Sequence, residues 1–370
     1  MPKKKNKVTF DDDIVSNQIN SKYGDIIESG SKVLASLEEF ETLGVSPALD
    51  IALGGGLREG SCVVITGDPK TGKTTTALYF AAKAQRAGKK VYYFNTEGRL
   101  TKENFTGIKD LNIEEIKIVQ ATDNQPVVSA EKFLNTLEAH VKGTPDLVAI
   151  IDSASNMVPQ DELDGEIRTG VRNALPRLLS MFLKRISNDV ARTKAILIFI
   201  THNIANTGGS RWAPAKMADC GNMLQFQAGT NMVITHRGKW DATNDSGRDV
   251  GQVANWVVKT SAAGGIPNST AMSWIRYGVG IDEVQEIAQI ANEFALVKRS
   301  GAWYTLSTAI ENKDDPTIRS WLTEIGVNPD SDEEVEKAFK FQGMEKLTSF
   351  LENNETITSF IYDQIKEILL

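Results

Sequence analysis

Gly67-Asp68-Pro69-Lys70-Thr71-Gly72-Lys73-Thr74 fits the pattern G-x-x-x-x-G-K-[ST], and its surroundings restrict the fold more than any other stretch. The apolar run Cys62-Val63-Val64-Ile65-Thr66 precedes it, and Thr75 to Ala84 follows with the composition of a helix. Strand, glycine loop and helix in that order are the context in which this motif cradles phosphate. Backbone N–H groups of the loop and the N-terminus of the helix form an anion nest. The Lys73 ammonium is placed to reach the β/γ-phosphates, and the Thr74 hydroxyl to hold Mg²⁺. Gly67 through Thr75 are therefore expected to bind a nucleoside triphosphate.

The rest of the chain supplies a fold around that unit. From about Thr42 to Val297 short apolar runs alternate with helical patterns, the signature of an α/β sheet built from crossover units. Expected core strands are 62–66, 90–95, 117–120, 147–152, 195–201, 231–236 and 256–259. Continuous runs such as Val148-Ala149-Ile150-Ile151 and Ile196 to Ile200 suit parallel strands covered on both faces. Residues 1–40 are polar and charged, with short helices expected over 11–23 and 32–40, and form an N-terminal extension. Residues 41–309 form the core. Residues 310–370 form a small helical C-terminal module, in which Asp330-Ser331-Asp332-Glu333-Glu334 opens one helix. Phe360, Ile361, Ile365, Ile368 and Leu369 recur at helical spacing in another.

Composition excludes several classes. A hydrophobic share of 41% with 24% charged residues is that of a globular protein, and no apolar run reaches the roughly 18 residues of a membrane span. The basic start, Met1 to Lys7, lacks the apolar stretch of a signal peptide. Cys62 and Cys220 are too few for a disulfide framework, which favours a reducing cytoplasm. His140, His202 and His236 show no metal-ligand spacing. The net charge of −7 argues against a surface that binds DNA throughout, but allows a local basic channel.

A phosphate loop needs partners before it hydrolyses anything. Asp152 closes Leu147-Val148-Ala149-Ile150-Ile151, and four apolar residues followed by Asp is the Walker B pattern, whose carboxylate holds Mg²⁺. Glu97 ends the strand Val91 to Asn95, where a carboxylate can polarise the water attacking the γ-phosphate. On spacing alone a surface glutamate fits equally well. His202 follows strand 195–201 at the carboxyl edge where ligands of open α/β sheets sit. A lone histidine is more often structural, but here it precedes the long loop Asn203–Ala218. That loop carries Gly208, Gly209, Arg211, Trp212 and Lys216, which suit single-stranded nucleic acid, although a plain connector has a similar composition.

These residues together resemble the RecA/UvsX-type homologous recombinases, most of all a phage-encoded member. The likeness runs from about Thr42 to Trp321. It includes Leu43 to Leu57 ahead of the phosphate loop, Glu162-Leu163-Asp164-Gly165-Glu166-Ile167, Gly221 to Phe226, Val257-Val258-Lys259 and Ser300 to Tyr304. The resemblance implies a RecA-like P-loop ATPase core with a mainly parallel central sheet, and ATP with Mg²⁺ as cofactors. It implies that Glu97, Lys73, His202 and Lys259 are catalytic and that Thr74 and Asp152 hold the metal. Glu97 falls on the catalytic glutamate and His202 on the γ-phosphate switch, where bacterial members place Gln and some phage relatives His. Residues 164–172, with Arg168 and Arg172, match the first DNA loop. Residues 203–217, with Asn203, Gly208, Gly209, Arg211, Trp212 and Lys216, match the second, which has diverged. Lys259 matches one of two lysines that reach ATP across a subunit interface, whereas Ser261 stands at the second. Phe226 falls on a subunit contact. Thr101 and Asn104 replace the adenine-contacting Asp and Tyr.

The implied activity is that of a DNA-dependent ATPase. It assembles as helical filaments on single-stranded DNA, pairs with homologous duplex and exchanges strands, aided by single-strand-binding and mediator proteins. Ile14, Val15 and Ile19 are candidate anchors of the N-terminal segment on the next subunit. A RecA-fold hexameric helicase shares the nucleotide motifs but normally needs an assembly domain larger than 40 residues. A non-catalytic, ATP-gated mediator would lack Walker residues, and Lys73, Thr74, Glu97 and Asp152 are all present.

Overall fold

The structure, a computed structural model, describes residues 12–165, 174–205, 216–241 and 249–370. The chain divides into two units, Met1–Glu41 and Thr42–Leu370. Helices Asp12–Tyr23 and Gly30–Glu38 make up the described part of the first. The Asn20 carboxamide closes the turn between them by accepting from the Ile26 and Ile27 amides and donating to the Ile27 carbonyl. Ser29 then caps the second helix by accepting from the Lys32 amide.

The second unit is built on one large sheet. Its described strands are β1 (Ser61–Gly67), β2 (Lys90–Asn95), β3 (Lys117–Val119), β4 (Leu147–Asp152), β5 (Ile196–Ala205), β6 (Lys216–Ala218), β7 (Thr230–Trp240), β8 (Gly251–Thr260), β9 (Ser269–Arg276) and β10 (Gly280–Ile281). Their order is β10-β9-β8-β7-β1-β5-β4-β2-β3, with β6 paired to β5 alone. From β7 to β3 every neighbour is parallel; the β7–β8, β8–β9, β9–β10 and β5–β6 pairs are antiparallel. The sheet is thus mostly parallel, as expected.

Side chains alternate between two cores, as the two-residue period of a strand requires. Val63 and Ile65, with Ile196, Ile198 and Ile200, pack under helix Lys73–Arg86 through Leu78, Phe80 and Ala81. Val64, Leu197 and Phe199 face the other way, toward helices Ala130–Gly143 and Ala174–Arg192. Both faces being covered explains why the inner strands read as unbroken apolar runs.

Departures from expectation lie in the length of β5 and at the antiparallel end. Strands β5 and β7 run on to Ala205 and Trp240, β8 starts at Gly251, and β9 and β10 were not expected. At β8 and β9 the cause is partial burial: half-exposed or exposed residues, among them Gln252, Asn255, Ser269 and Thr270, are mixed with buried ones. Bulges at Val253/Ala254 and Val258/Thr260 also break the period.

A third core joins helix Glu283–Glu293 to the C-terminal helices through Ile287, Trp321, Phe339, Leu347, Ile357, Ile361 and Ile365. Trp321 stacks on Phe339 at 5.3 Å between centroids. Ser331 caps helix Asp332–Ala338 by accepting from the Glu334 amide. Of the expected apolar stripe, Ile361 and Ile365 are buried and Ile368 is exposed. Strands 298–300, 303–305 and 340–342 form a small antiparallel sheet that spans the boundary drawn at residue 310.

Two carboxyls are buried where these layers meet. Asp50 accepts from the Val45 amide at 2.6 Å and from the Tyr362 hydroxyl at 3.2 Å. Glu286 accepts from the Ala48 amide at 2.9 Å. Burial, above all, pushes Asp50 up to about 6 and Glu286 up to about 8. Among the described residues, no helix is long and apolar enough to cross a membrane.

Candidate functional site

Strand register brings the chemistry to one edge. Gly67, the last residue of β1, is level with His202 of β5, and Asn95 of β2 with Asp152 of β4. Residues far apart in sequence thereby share the carboxyl edge of the parallel strands, where α/β proteins bind ligands. A cleft of about 520 Å³ opens there, lined among others by Lys73, Thr74, Glu97, Asp152, His202 and Gln252.

The loop from Gly67 to Thr74 has no room for larger residues at two points. A Cβ on Gly67 would lie 2.6 Å from both the Cγ2 and the carbonyl oxygen of Ile234. Gly72 has φ 105°, and a Cβ there would meet the Ile275 Cδ1 at 2.4 Å. Gly72 is also the N-cap of helix Lys73–Arg86 and brings no capping side chain. The first amides of that helix are thus left to an anion. Lys73 is 5% exposed, and its Nζ donates to the carbonyl oxygens of Gly67 at 3.0 Å and Asp68 at 2.8 Å. Burial lowers its pKa, with Asp152, Glu97 and Asp68 opposing. Pro69, Lys70 and Thr75 line the same cleft, and the Thr71 hydroxyl donates to the Asp68 carbonyl at 2.9 Å.

Thr74 and Asp152 meet directly. The Thr74 hydroxyl donates to Asp152 Oδ2 at 2.6 Å, and the Tyr93 hydroxyl donates to the same oxygen at 2.7 Å. A hydroxyl and a carboxylate side by side at the mouth of a phosphate loop are the hard oxygen donors Mg²⁺ uses when phosphates and waters complete its octahedron. The residues fit the ion: Thr74 and Asp152 would hold it. Burial raises the Asp152 pKa, while Thr74 and Tyr93 counter that rise.

Glu97 and His202 form a second group beside the first. His202 Nε2 lies 2.7 Å from Glu97 Oε1 and 3.2 Å from the Ser153 hydroxyl, which itself donates to Glu97 Oε1 at 2.9 Å. The His202 hydrogen bond, chiefly, holds the Glu97 carboxyl below its usual range; burial opposes it and Ser153 assists. His202 Nδ1 is buried and has no hydrogen-bond partner among the described residues. The exits of β2 and β4 are tied together by the Thr96 and Glu97 amides, which donate to the Asp152 carbonyl at 3.0 and 3.3 Å.

From this edge the chain leads into the expected second DNA loop. The Asn203 carboxamide donates to Asp68 Oδ1 of the phosphate loop at 3.2 Å. The Asp219 amide donates to the His202 carbonyl at 2.8 Å, and beyond His202 the last residues of β5 pair with the short β6, which ends just before Asp219. Lys216 begins β6. Gly208, Gly209, Arg211 and Trp212, and Arg168 and Arg172 of the expected first loop, lie outside the described residues.

Two expected site residues are not in this cleft. Lys259 is exposed near the end of β8, and Thr260 beside it pairs with Asn231, at the edge of the sheet opposite the phosphate loop. Phe226, on helix Asn222–Gln227, is 79% exposed. Ser261 braces a turn, its hydroxyl donating to the Leu53 carbonyl at 2.6 Å and accepting from the Ala263 amide. Asn104 lines the cleft while its Oδ1 accepts from the Thr101 amide at 2.8 Å; Thr101 lines an adjoining cavity of about 570 Å³.

Sequence reasoning missed Tyr93, Ser153 and Gln252. Tyr93 sits inside an apolar run, where a tyrosine reads as core. Ser153 follows the Walker aspartate directly, a position that could have been inspected. Gln252 reaches the cleft from β8, whose start was not expected.

The comparisons agree with this geometry. The family described as the RecA N-terminal domain matches residues 13–282. Protein RecA of Streptococcus gordonii (strain Challis) is 29% identical over 296 residues, covering 79% of this chain and 74% of its own. Protein RecA of Streptococcus pneumoniae (strain Hungary19A-6) is likewise 29% identical over 296 residues, covering 79% and 73%. With a phosphate loop, a paired Thr74 and Asp152 and a joined Glu97 and His202 on one RecA-like sheet edge, this chain belongs to the RecA N-terminal domain family.

Proposed function

We propose that this protein is an ATP-dependent homologous recombinase that assembles as a filament on single-stranded DNA, pairs it with homologous duplex and exchanges strands. The observation that supports the reading is a hydrogen-bonded link between the phosphate loop and the strand that precedes segment 206–215. Glu97, His202 and Asn203 lie on one hydrogen-bonded path from the phosphate loop to the strand that enters segment 206–215. In this reading Lys73 and the helix N-terminus bind the β/γ-phosphates, and Thr74 and Asp152 hold Mg²⁺, which neutralises developing charge on the phosphates. Glu97 takes the proton of the attacking water, or orients that water.

His202 is the sensor. With its Nε2 on Glu97 it is poised to exchange that partner for a γ-phosphate oxygen, and any movement passes along the end of β5 and, through the Asp219 amide, to the residue that follows β6. Lys259, at the far edge of the sheet, acts in this scheme on the nucleotide of a neighbouring subunit, and Phe226 packs on one. The unit ending at Glu41 serves as the polymerisation segment. Arg168, Arg172, Asn203, Gly208, Gly209, Arg211, Trp212 and Lys216 contact DNA, and the protein acts in the cytoplasm with single-strand-binding and mediator proteins.

Steady-state ATP hydrolysis with and without single-stranded DNA tests the reading. The expected result is turnover that rises on DNA addition and vanishes in Lys73→Ala. Turnover indifferent to DNA, or surviving that substitution, contradicts it.

A further inference from the structure

We propose that Tyr93 is a positioning residue for the divalent cation of this site, fixing the Asp152 carboxylate and linking it to the segment that flanks the nucleotide on its other side. The proposal rests on the nucleotide reading above. Tyr93 is 2% exposed on β2, between Tyr92 and Phe94, where a phenylalanine would satisfy the packing. Its hydroxyl instead reaches across to β4 and donates to Asp152 Oδ2 at 2.7 Å. A buried hydroxyl with one partner is conspicuous, because that hydroxyl would be costly to bury unpaired.

The geometry says what the bond does. Thr74 and Tyr93 both donate to Oδ2, from two different elements, so that oxygen is held from two sides and the carboxylate plane with it. Oδ1 is the oxygen then left for a cation or its water shell. With Thr74 alone the carboxylate could rotate about that single bond, and Lys73, whose charge already acts on Asp152, could draw it aside. Carboxylates that serve metals are commonly held this way, and losing the outer partner costs about 10–100-fold in affinity for the ion or in activity.

The ring of Tyr93 has a second neighbour. Phe105 meets it edge-on, 6.0 Å between centroids at 71°. Phe105 is buried in the short helix Lys102–Thr106, whose first turn holds Asn104, a lining residue of the cleft. A continuous path therefore runs from Asn104 through Phe105 and Tyr93 to Asp152. Occupancy beside Asn104 and cation binding at Asp152 would be felt by the same ring.

The test separates the cation from the nucleotide. Binding of a fluorescent ATP analogue is titrated without divalent ions and then at rising Mg²⁺, for wild type and Tyr93→Phe. Mn²⁺ bound to the ADP complex is counted in parallel by electron paramagnetic resonance. The expected result is nucleotide affinity without metal within about two-fold of wild type, and half-saturating Mg²⁺ and Mn²⁺ raised by about ten-fold. Phe105→Leu, which keeps the hydroxyl but removes the edge contact, should raise half-saturating Mg²⁺ by less. Unchanged Mg²⁺ dependence in Tyr93→Phe overturns the proposal while leaving the nucleotide site intact. An equal loss of metal-free nucleotide affinity also overturns it, because the hydroxyl would then be a general structural support. A wild-type chain that binds no nucleotide overturns the functional reading and this proposal with it.

Discussion

Glu286→Gln should make the protein less sensitive to alkaline pH. Glu286, on helix 283–293, is fully buried against the first turn of helix 47–53, where its Oε2 accepts the Ala48 amide hydrogen. Burial, first, and the nearby Glu283 raise its pKa from 4.5 to about 8, against the Ala48 hydrogen bond and the neighbouring Ser273 and Ser46 hydroxyls. The folded state therefore keeps a proton that the unfolded chain releases above its ordinary pKa. Stability from this site is complete below about pH 4.5 and is lost as pH rises through about 8. Within that window the slope is about 1.4 kcal/mol per pH unit for one proton, so from pH 6 to pH 8 the loss is on the order of 2–3 kcal/mol. Asp50, raised to about 6, loses its share mostly below that interval. Glutamine keeps the acceptor for the Ala48 amide and has no proton to lose. Urea unfolding at pH 6 and pH 8 should show wild type losing about 2–3 kcal/mol more than Glu286→Gln over the interval. Parallel losses in the two proteins would refute the reasoning.

Three further outcomes are expected. Glu97→Gln should retain ATP binding but slow hydrolysis by about 10²–10⁴-fold and hold the protein on DNA; single-turnover hydrolysis near the wild-type rate would remove Glu97 from the base role. Lys259→Ala should lower DNA-stimulated turnover by about ten-fold or more yet leave nucleotide affinity of dilute protein unchanged, since Lys259 lies at the sheet edge opposite the phosphate loop. Equal weakening of nucleotide binding would place it in its own chain's site. Arg211→Ala combined with Lys216→Ala should weaken single-stranded DNA binding and flatten its dependence on salt, by about one unit of log–log slope per lost contact. An unchanged slope moves the DNA contacts elsewhere.

The parallel half of the molecule was readable in the chain because physics writes it plainly there. Strands covered on both faces must be apolar throughout, and the phosphate loop and Asp152 sit directly at their ends. What joins the site was harder to read. Tyr93 and Asp152 are 59 residues apart, and only the β2–β4 register makes them neighbours. Ser153 tells a similar story: its bridge between Glu97 and His202 depends on three strand exits converging. At β9, half-exposed polar residues hide the period altogether. Ser261 reads in sequence as a missing cation, whereas its hydroxyl braces the turn at Leu53.

In the proposed function, nucleotide held at Gly67–Thr74 governs assembly on DNA. Electron microscopy of the protein with single-stranded DNA, Mg²⁺ and a non-hydrolysable ATP analogue tests it most directly. Helical filaments that form with the analogue and are lost when nucleotide is omitted are the predicted result; closed rings or discrete particles would contradict it.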